Sequence, residues 1–218
     1  MLARTITNTG TKKLIGKFPS LKLGRAVWYE SLLERDYLYL LEIDSDVIFY
    51  REQPARIHYT IEGKSHRYTP DLFVQRKRIK EIIEVKLKAK SEEEQYVRLF
   101  RIAWQICHKE AYEFKVATEE VIRCQPRLDN TKLLYKYAWT PIHPQHQINC
   151  YDFFSSKQEA RLCEVMQFFA SRQVGQQVVY ALIYRGVLAI DVMQPLTAMS
   201  MVRLSVTPAP SRKVHRDV

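Results

Sequence analysis

The stretch HRYTPDLFVQRKRIKEIIEVKL, residues 66–87, decides the fold of the first half of the chain. Two apolar runs flank its basic turn and predict two strands of a hairpin. Alternate residues of a strand face the same side, so Glu84 and Lys86 share one face while Val85 points into a core. In such a hairpin, Asp71 lies close to both polar side chains. The stretch therefore predicts a cluster of two acids and one lysine.

Two carboxylates and one ammonium group in a common pocket suit the hydrolysis of a phosphodiester. Asp71 and Glu84 offer the oxygen ligands that Mg²⁺ prefers, and Mn²⁺ is expected to substitute. Lys86 can orient or deprotonate a water, or stabilise developing negative charge. The spacing resembles the PD…(D/E)xK pattern of restriction-type nucleases. The alternative is a solvated hairpin face, but Glu84 and Lys86 lie within an apolar run, which favours the nuclease.

The composition predicts a polyanionic partner. The 218 residues include 34 Lys and Arg against 24 Asp and Glu, a formal charge of +10; a merely basic protein is the alternative. The cysteines are scattered and form no CxxC pair, which argues against structural zinc and for free thiols. The amino terminus has no apolar signal core, and no run approaches the 18 apolar residues of a membrane span. We therefore expect a cytoplasmic protein.

The periodicity divides the chain into a basic, loop-like arm over 1–23, a nuclease domain over 24–125, a second domain over 126–210 and a mobile polar tail over 211–218. The nuclease domain has the predicted order α-β-β-β-α-β, which is typical of a mixed-sheet α/β core. Its expected elements are a helix over 24–43, strands over 47–50, 66–74 and 79–87, a helix over 91–108 and a strand over 112–117. An alternating run over 56–61 turns at 62–65 and returns as the second of these strands. Ser91 is the expected N-cap of the second helix, because it has capping-box spacing to Glu94.

The second domain has the pattern of helices followed by a two-stranded wing. Its expected elements are a short helix ending near Trp139, helices over 156–171 and 177–184, and strands over 187–193 and 199–206. Such a winged-helix-like domain docks on nucleic acid or protein, and its few basic side chains favour protein. The segment 141–149 has the composition of a loop, in which His143 and His146 form a polar linker or, as the weaker alternative, a metal pair.

The sequence also resembles a known family, the TnsA endonuclease subunits of heteromeric cut-and-paste bacterial transposases. The resemblance covers about residues 16–120 and is weaker over the second domain, where its nearest matches are Leu182 to Asp191 and Pro195-Leu196. The residues that carry it in the first domain are Phe18-Pro19-Ser20, Tyr29-Glu30-Ser31-Leu32-Leu33-Glu34-Arg35-Asp36, Leu41-Glu42-Ile43-Asp44, Val47, Glu52-Gln53-Pro54, Tyr68-Thr69-Pro70-Asp71 and Glu84-Val85-Lys86.

The resemblance implies a restriction-endonuclease-like core that cuts the 5′, non-transferred strand at transposon ends. It also implies two partners, a TnsB-like DDE recombinase that cuts and joins the 3′ ends and a TnsC-like AAA+ ATPase that regulates the reaction. Carried over to this sequence, the metal ligands are Asp71, Glu84 and the helix acid Glu34, and Lys86 completes the catalytic set. Glu30, four residues from Glu34 on the same helix face, is the alternative helix acid.

Several other residues are weaker candidates. Gln53 either positions a water or the scissile strand, or is a structural residue before Pro54. Candidate DNA contacts are the basic residues Lys17, Lys22, Arg76, Lys77 and Arg78. Two rival functions stay open, a stand-alone restriction-like nuclease or junction resolvase and a non-catalytic DNA-binding adaptor. The presence of both acids and the lysine of the pattern argues against the adaptor.

Overall fold

A computed structural model describes residues 15–169 and 171–205 of the chain. The protein divides into two compact units, residues 1–123 and 124–218, and this break lies two residues before the predicted end of the nuclease domain. Residues 1–14 of the predicted arm and the predicted tail lie outside the described residues. Within the described part, no helix is long and apolar enough to cross a membrane.

The first unit is a mixed α/β domain. Its elements are β1 Gly16–Ser20, β2 Arg25–Tyr29, α1 Leu32–Ile43, β3 Val47–Glu52, β4 Ile57–Ile61, β5 Lys64–Tyr68, β6 Leu72–Arg76, β7 Lys80–Val85, α2 Lys88–Ser91, α3 Glu94–Lys109, β8 Glu113–Ala117 and α4 Glu119–Ile122. Four strands form one sheet in the order β3-β6-β7-β8. The first two pairs are antiparallel and β7 pairs with β8 in parallel. The parallel pair needs a crossover connection, which α2 and α3 provide.

Strand β7 lies inside the sheet and carries the decisive residues. Ile83 and Val85 are buried, as are Glu81 and Glu84, so both faces of the strand are covered. Helix α1 contacts β7, and α3 contacts β8. In α3 the buried residues follow helical spacing, which is why this helix lays one face on the sheet. They are Phe100, Ala103 and Cys107.

The helix predicted over 24–43 is wrong over its first part, where the chain forms a β-hairpin instead. Strands β1 and β2 pair with Phe18 opposite Val27, and both side chains are buried. Gly24 in the turn has φ +66°, which glycine adopts without strain. Helix α1 begins only after Ser31, whose hydroxyl accepts a hydrogen bond from Glu34 N. The same hairpin replaces the loop-like arm expected over residues 16–23.

The single strand predicted over 66–74 is divided into two strands. Pro70 interrupts it because proline has no N–H for the strand ladder. Strand β5 pairs with β4 in a separate hairpin, and β6 joins the main sheet. The two turn residues of this hairpin, Glu62 and Gly63, have φ values of +50° and +74°. Two positive φ angles are typical of a type I′ turn, whose twist matches that of the strands it connects.

The start of the helix predicted over 91–108 is also displaced. Helix α3 begins at Glu94 with Glu93 at the N-cap position, and Ser91 lies in the short preceding helix α2. The Ser91 hydroxyl donates a 2.7 Å hydrogen bond to the carbonyl of Lys88, so it does not form the predicted capping box. This side chain satisfies a carbonyl of its own helix, a local bond that competes with capping.

In the second unit, the described elements are α5 Arg127–Tyr135, α6 Pro144–Phe154, β9 Glu159–Arg161, α7 Leu162–Gln167, α8 Arg172–Tyr184, β10 Leu188–Ile190 and β11 Met201–Leu204. The strands form an antiparallel sheet in the order β10-β11-β9. Strands β10 and β11 lie where the sequence predicts two wing strands, and β9 adds a third. Its Ala160 is buried between two exposed neighbours, the alternation of a strand with one face covered.

Three local predictions for this unit are wrong. The segment 141–149 is not a loop throughout, because α6 begins within it; His143 is the N-cap and His146 Nδ1 accepts from His143 N at 3.4 Å. The helix predicted over 156–171 is β9 followed by the short α7. Helix α8 begins five residues before the predicted position, after Ser171 accepts from Val174 N. Gly175 lies within α8, where a Cβ atom would stand 2.0 Å from the carbonyl oxygen of Met166.

Candidate active site

The site begins where the adjacent strands β6 and β7 bring two acids together. Leu72 pairs with Ile83, so Asp71, which precedes β6, lies beside Glu84 of β7. Asp71 Oδ2 accepts a 2.7 Å hydrogen bond from Val85 N, which holds the carboxylate against β7. The carbonyl of Asp71 accepts a 2.8 Å bond from Gln53 N at the end of β3. Three strands of the sheet therefore define the position of Asp71.

Glu84 is held through both carboxylate oxygens. Lys86 Nζ lies 2.8 Å from Oε1, and the Tyr68 hydroxyl donates a 2.6 Å hydrogen bond to Oε2. Lys86 also lies over the ring of Tyr96, with Nζ 4.6 Å from the ring centre, a cation–π distance. Glu84 is buried, while the side chain of Lys86 keeps 22% exposure. The lysine thus faces the acid on one side and open space on the other.

The amino terminus of α1 contributes a third carboxylate, Glu34. Its Oε2 accepts a 2.8 Å bond from Glu30 N, and its Oε1 accepts a 2.9 Å bond from Ser31 Oγ. The neighbouring acid Glu30 is held differently, because its Oε1 accepts a 2.8 Å bond from Gln53 Nε2. Glu34 therefore caps its helix, whereas Glu30 is tied to the end of β3. The prediction that the two acids share a helix face is wrong, because α1 begins at Leu32 and Glu30 precedes its N-cap.

These elements surround an open cleft of about 660 Å³ in the first unit. Its lining contains Glu30 and the full set of predicted catalytic residues, Glu34, Asp71, Glu84 and Lys86. It also contains residues that the motif did not indicate, among them Arg67, Tyr68, Lys90, Tyr96 and Arg123. Within 15–169 and 171–205, no three His, Cys, Asp or Glu side chains form a cluster ready to hold a metal ion.

The electrostatics of the cleft are those of acids crowded in a poorly solvated place. Burial raises the pKa of Asp71 well above 3.8, and the negative charges of Glu84 and Glu34 raise it further. Burial also raises the pKa of Glu34, although its hydrogen bonds from Glu30 N and Ser31 oppose this. Burial lowers the pKa of Lys86, but attraction to Glu84 more than offsets it and leaves that pKa raised. Lys86 is therefore an ammonium at neutral pH.

The accessory candidate Gln53 lies at the edge of this site. It is buried, has φ +41°, and bonds both to Glu30 and to the Asp71 carbonyl. A non-glycine residue at positive φ is uncommon and persists only where its surroundings hold it. Its side-chain oxygen, Oε1, is buried and has no hydrogen-bond partner among the described residues. The structure thus places Gln53 between Glu30 and the Asp71 turn.

The basic residues predicted to contact DNA lie away from the cleft lining. Lys22 Nζ donates to the carbonyls of Leu41, Asp44 and Val47 at 2.6–2.8 Å, so it closes the end of α1 rather than offering a free charge. Lys17 lies over the ring of Trp28 in the first hairpin, 4.6 Å from the ring centre.

The basic turn after β6 lies at the opposite end of that strand from Asp71, roughly 17 Å away at the usual rise per residue. Arg76 is bound to Asp44 and Glu81 at 2.6 Å each and so has a structural role in the first unit. Lys77 and Arg78 are exposed at this distant turn. None of the three residues lines the cleft.

Sequence reasoning missed Tyr68 and Arg67 because it treated residues 66–74 as one strand. Tyr68 directly precedes the Thr69-Pro70-Asp71 turn, so its closeness to Asp71 in the sequence could have indicated that it lies beside the acids. Lys90 and Tyr96 carried no such signal, because their place at the cleft depends on the course of α2 and α3. The end of strand β7 alone does not determine where these two residues lie.

A mixed sheet with a parallel crossover and acids gathered beside neighbouring strands fits the class of restriction-endonuclease-like nucleases. Residues 44–119 match the family model of the TnsA-like endonuclease N-terminal domain. The match confirms the resemblance found in the sequence and supports a transposase-associated nuclease. It includes Asp71, Glu84 and Lys86, whereas Glu34 precedes the matched range. No curated protein matches the chain.

Proposed function

We propose that this protein is the Mg²⁺-dependent DNA endonuclease of a cytoplasmic transposase complex. It cuts the 5′, non-transferred strand at transposon ends, so that the element leaves its donor by cut-and-paste. The observation that supports this most is the convergence of Glu34, Asp71, Glu84 and Lys86 on one open cleft within a TnsA-like nuclease unit. A stand-alone nuclease or resolvase uses the same chemistry but lacks the TnsA-like sequence match.

The donor set of the cleft fits Mg²⁺, although its carboxylates face protein donors in this conformation. Asp71, Glu84 and Glu34 supply the hard oxygen ligands that Mg²⁺ prefers. The raised pKa of Asp71, caused by burial and by the two other acids, indicates repulsion that a dication relieves. When bound, Mg²⁺ provides a nucleophile at neutral pH and charge stabilisation at the phosphate.

The protein's own groups then have separable roles. Lys86, an ammonium whose pKa is raised by Glu84, suits stabilisation of negative charge on the reacting phosphate better than proton abstraction. Tyr68 and Lys86 together fix the orientation of Glu84. Burial and the charge of Glu84 raise the pKa of Tyr68, which keeps its hydroxyl a donor. Such fixed donors and acceptors reduce the reorganisation that the reaction requires.

The second unit is proposed as the docking part of the complex. Its described order of two helices, a strand, two helices and two strands, with a three-stranded antiparallel sheet, supports a winged-helix-like interpretation. We assign its main contacts to a TnsC-like AAA+ ATPase, with the TnsB-like DDE recombinase joining the 3′ ends. DNA-backbone contacts alongside the protein contacts are compatible with this assignment.

The test is strand-specific cleavage of labelled transposon ends by the complex reconstituted with its recombinase and ATPase. We expect 5′-strand nicking in Mg²⁺ or Mn²⁺, none in excess chelator, and none with Asp71→Ala. Lys86→Ala should slow cleavage by ~10²-fold or more while metal binding persists. Full 5′-strand cleavage in chelator would reject the metal requirement, and full cleavage by Asp71→Ala would reject the site.

A further inference from the structure

The β4–β5 hairpin, residues 57–68, is a ribbon separate from the main sheet that begins at the candidate active site. Its last residue, Tyr68, reaches Glu84, while Ile57 pairs with Tyr68 at the same end. The tight Glu62-Gly63 turn closes the far end. Each strand has five residues, so the ribbon is about 17 Å long, comparable to the rise of about five base pairs of DNA.

The two faces of this ribbon differ in character. Cross-strand partners share a face, and one face carries the half-buried Ile57, Tyr59 and Ile61 of β4. Their partners on β5 are the half-buried Tyr68 and the exposed His66 and Lys64. Helix α3 contacts β4, which explains why the apolar side chains of β4 are partly buried. The other face carries the partners His58 and Arg67 and the partners Thr60 and Ser65. All four of these polar residues are exposed.

The outer face continues into the cleft through Arg67, which lines it together with Lys90. Two other cations of the cleft are already paired, Lys86 with Glu84 at 2.8 Å and Arg123 with Asp36 at 2.9 Å. In contrast, neither Arg67 nor Lys90 has an acidic partner among the described residues. Their charges thus stand at the mouth of a cleft whose interior is acidic.

Cations at the mouth of an acidic cleft attract a polyanion that the acids of the cleft would otherwise repel. Arginine and lysine neutralise phosphates, and Ser and Thr hydroxyls are common donors to phosphate oxygens. The outer face offers both kinds of group in a row, without the apolar anchors of a protein–protein contact centre. The hairpin carries two Lys or Arg side chains, Lys64 and Arg67, and one acid, Glu62, and Arg56 directly precedes it.

We propose that the outer face of the β4–β5 hairpin, with Arg67 and Lys90, binds the sugar–phosphate backbone of duplex DNA next to the bond that is cut. Arg67 contacts the phosphate closest to the cleft, and Thr60 and Ser65 contact those further along the ribbon. This assignment rests on the proposed nuclease function and adds the surface that aligns its substrate.

The first experiment measures binding apart from cleavage. The intact chain is titrated in chelator with a short labelled DNA duplex at several salt concentrations, and Arg67→Gln/Lys90→Gln is compared with the original sequence. Loss of two phosphate contacts should weaken binding several-fold at low salt and reduce the slope of log K against log salt by about 2. The matched control is Lys80→Gln, an exposed cation at the opposite end of β7 from Glu84, which should leave both quantities unchanged.

The second experiment maps the contact. A photo-crosslinking residue replaces Thr60 on the outer face, or Lys80 as the control, in the intact chain with the same duplex. We expect DNA crosslinks from position 60 alone. Unchanged affinity and salt slope in the double variant, no crosslink at position 60, or no DNA binding by the original chain would each overturn the proposal. Crosslinking of position 60 only to a partner protein in the reconstituted complex would also overturn it.

The two proposals fail in different ways. Salt-dependent binding through Arg67 and Lys90 without any metal-dependent cleavage would support the hairpin surface and count against the nuclease. Cleavage with normal rate and affinity in the double variant would support the nuclease and overturn the hairpin surface.

Discussion

Tyr68 donates a 2.6 Å hydrogen bond to one oxygen of Glu84, and Lys86 lies 2.8 Å from the other. The first contact joins the end of the β4–β5 hairpin to the strand that carries the acid. A carboxylate that accepts a donor at each oxygen has little freedom to rotate. The position of Glu84 therefore depends on a residue outside the PD…(D/E)xK pattern.

We predict that Tyr68→Phe slows 5′-strand cleavage by about 10-fold or more, because hydrogen bonds to charged groups contribute about 1.5–3 kcal/mol. The ring remains, so the packing of the hairpin base should persist. The Mg²⁺ concentration needed for half-maximal rate should rise, since Glu84 loses one of its two orienting partners. Cleavage rates over a Mg²⁺ titration measure both effects.

The matched control is Tyr59→Phe, in the same hairpin. Tyr59 stacks on His66 with ring centres 5.4 Å apart and is absent from the cleft lining. Its hydroxyl should be dispensable for the rate. Equal rates for both variants and the original sequence would show that Tyr68 does not orient Glu84.

The strand pairing at the site was predictable from sequence because the apolar runs around Asp71 and Glu84 are strong and short. Their i, i+2 pattern places Glu84 and Lys86 on one face whatever the rest of the fold does. The family match to residues 44–119 agrees with this part. What the runs did not reveal is where a strand stops, since β5 and β6 are continuous in pattern and are separated only by Thr69-Pro70-Asp71.

Other elements depend on tertiary contacts that periodicity does not encode. Residues 25–29 have enough apolar side chains for a helix, yet Val27 is buried against Phe18 in a hairpin. Arg76 looked like a free cation in a basic turn, but Asp44, distant in sequence, binds it. Local composition describes these residues equally well in both states, and the partner decides between them.

Substitution should distinguish the roles of Glu34 and Glu30. We predict that Glu34→Gln lowers the cleavage rate by ~10²-fold, the scale of losing one preorganised electrostatic group, whereas Glu30→Gln has a small effect. Glutamine preserves an oxygen that can accept from Glu30 N, so the helix start should survive. Rates from the reconstituted complex and melting temperatures of the isolated chain provide the comparison.

Ser31→Ala is the control that isolates capping from catalysis. It removes the side chain that accepts from Glu34 N and donates to Glu34 Oε1, at a cost of about 1 kcal/mol in stability. The Glu34 carboxylate itself remains, and its other oxygen keeps the hydrogen bond from Glu30 N. A rate loss in Ser31→Ala as large as in Glu34→Gln would mean that Glu34 acts through the helix cap. A large loss in Glu30→Gln alone would reverse the assignment of the helix acid.

Without bound metal, the protein should be less stable at neutral pH than at a lower pH where Asp71 is uncharged, because the crowded acids repel one another. A carboxyl whose pKa is raised in the folded state binds protons more tightly there than in the unfolded chain. The stability that this group contributes is therefore fully present at pH values below its ordinary pKa of 3.8. It is lost as the pH rises from 3.8 through the raised pKa of the folded state. We predict that Asp71→Asn melts at a higher temperature than the original chain at neutral pH in chelator.

For a protein of this length, each kcal/mol of stability gained should raise the melting temperature by about 2–4 °C. Mg²⁺ should raise the melting temperature of the original chain and have much less effect on Asp71→Asn, because ligands stabilise the state that binds them. Asp152→Asn, in the second unit, controls for the general effect of removing one negative charge. A lower melting temperature for Asp71→Asn in chelator would contradict the repulsion inferred at the site.

The last prediction separates second-strand cutting in transposition from other nuclease functions. If the recombinase alone joins the 3′ ends, Asp71→Ala should not abolish joining to the target. The uncut 5′ ends then keep the donor attached, and replication through the branched product gives a cointegrate. We predict a shift from simple insertions to cointegrates when this variant is expressed with the proposed recombinase and ATPase, measured by sequencing junctions across donor and target. Unchanged simple insertions would show that Asp71 is not catalytic, whereas loss of all products would assign the chain a structural role in assembly.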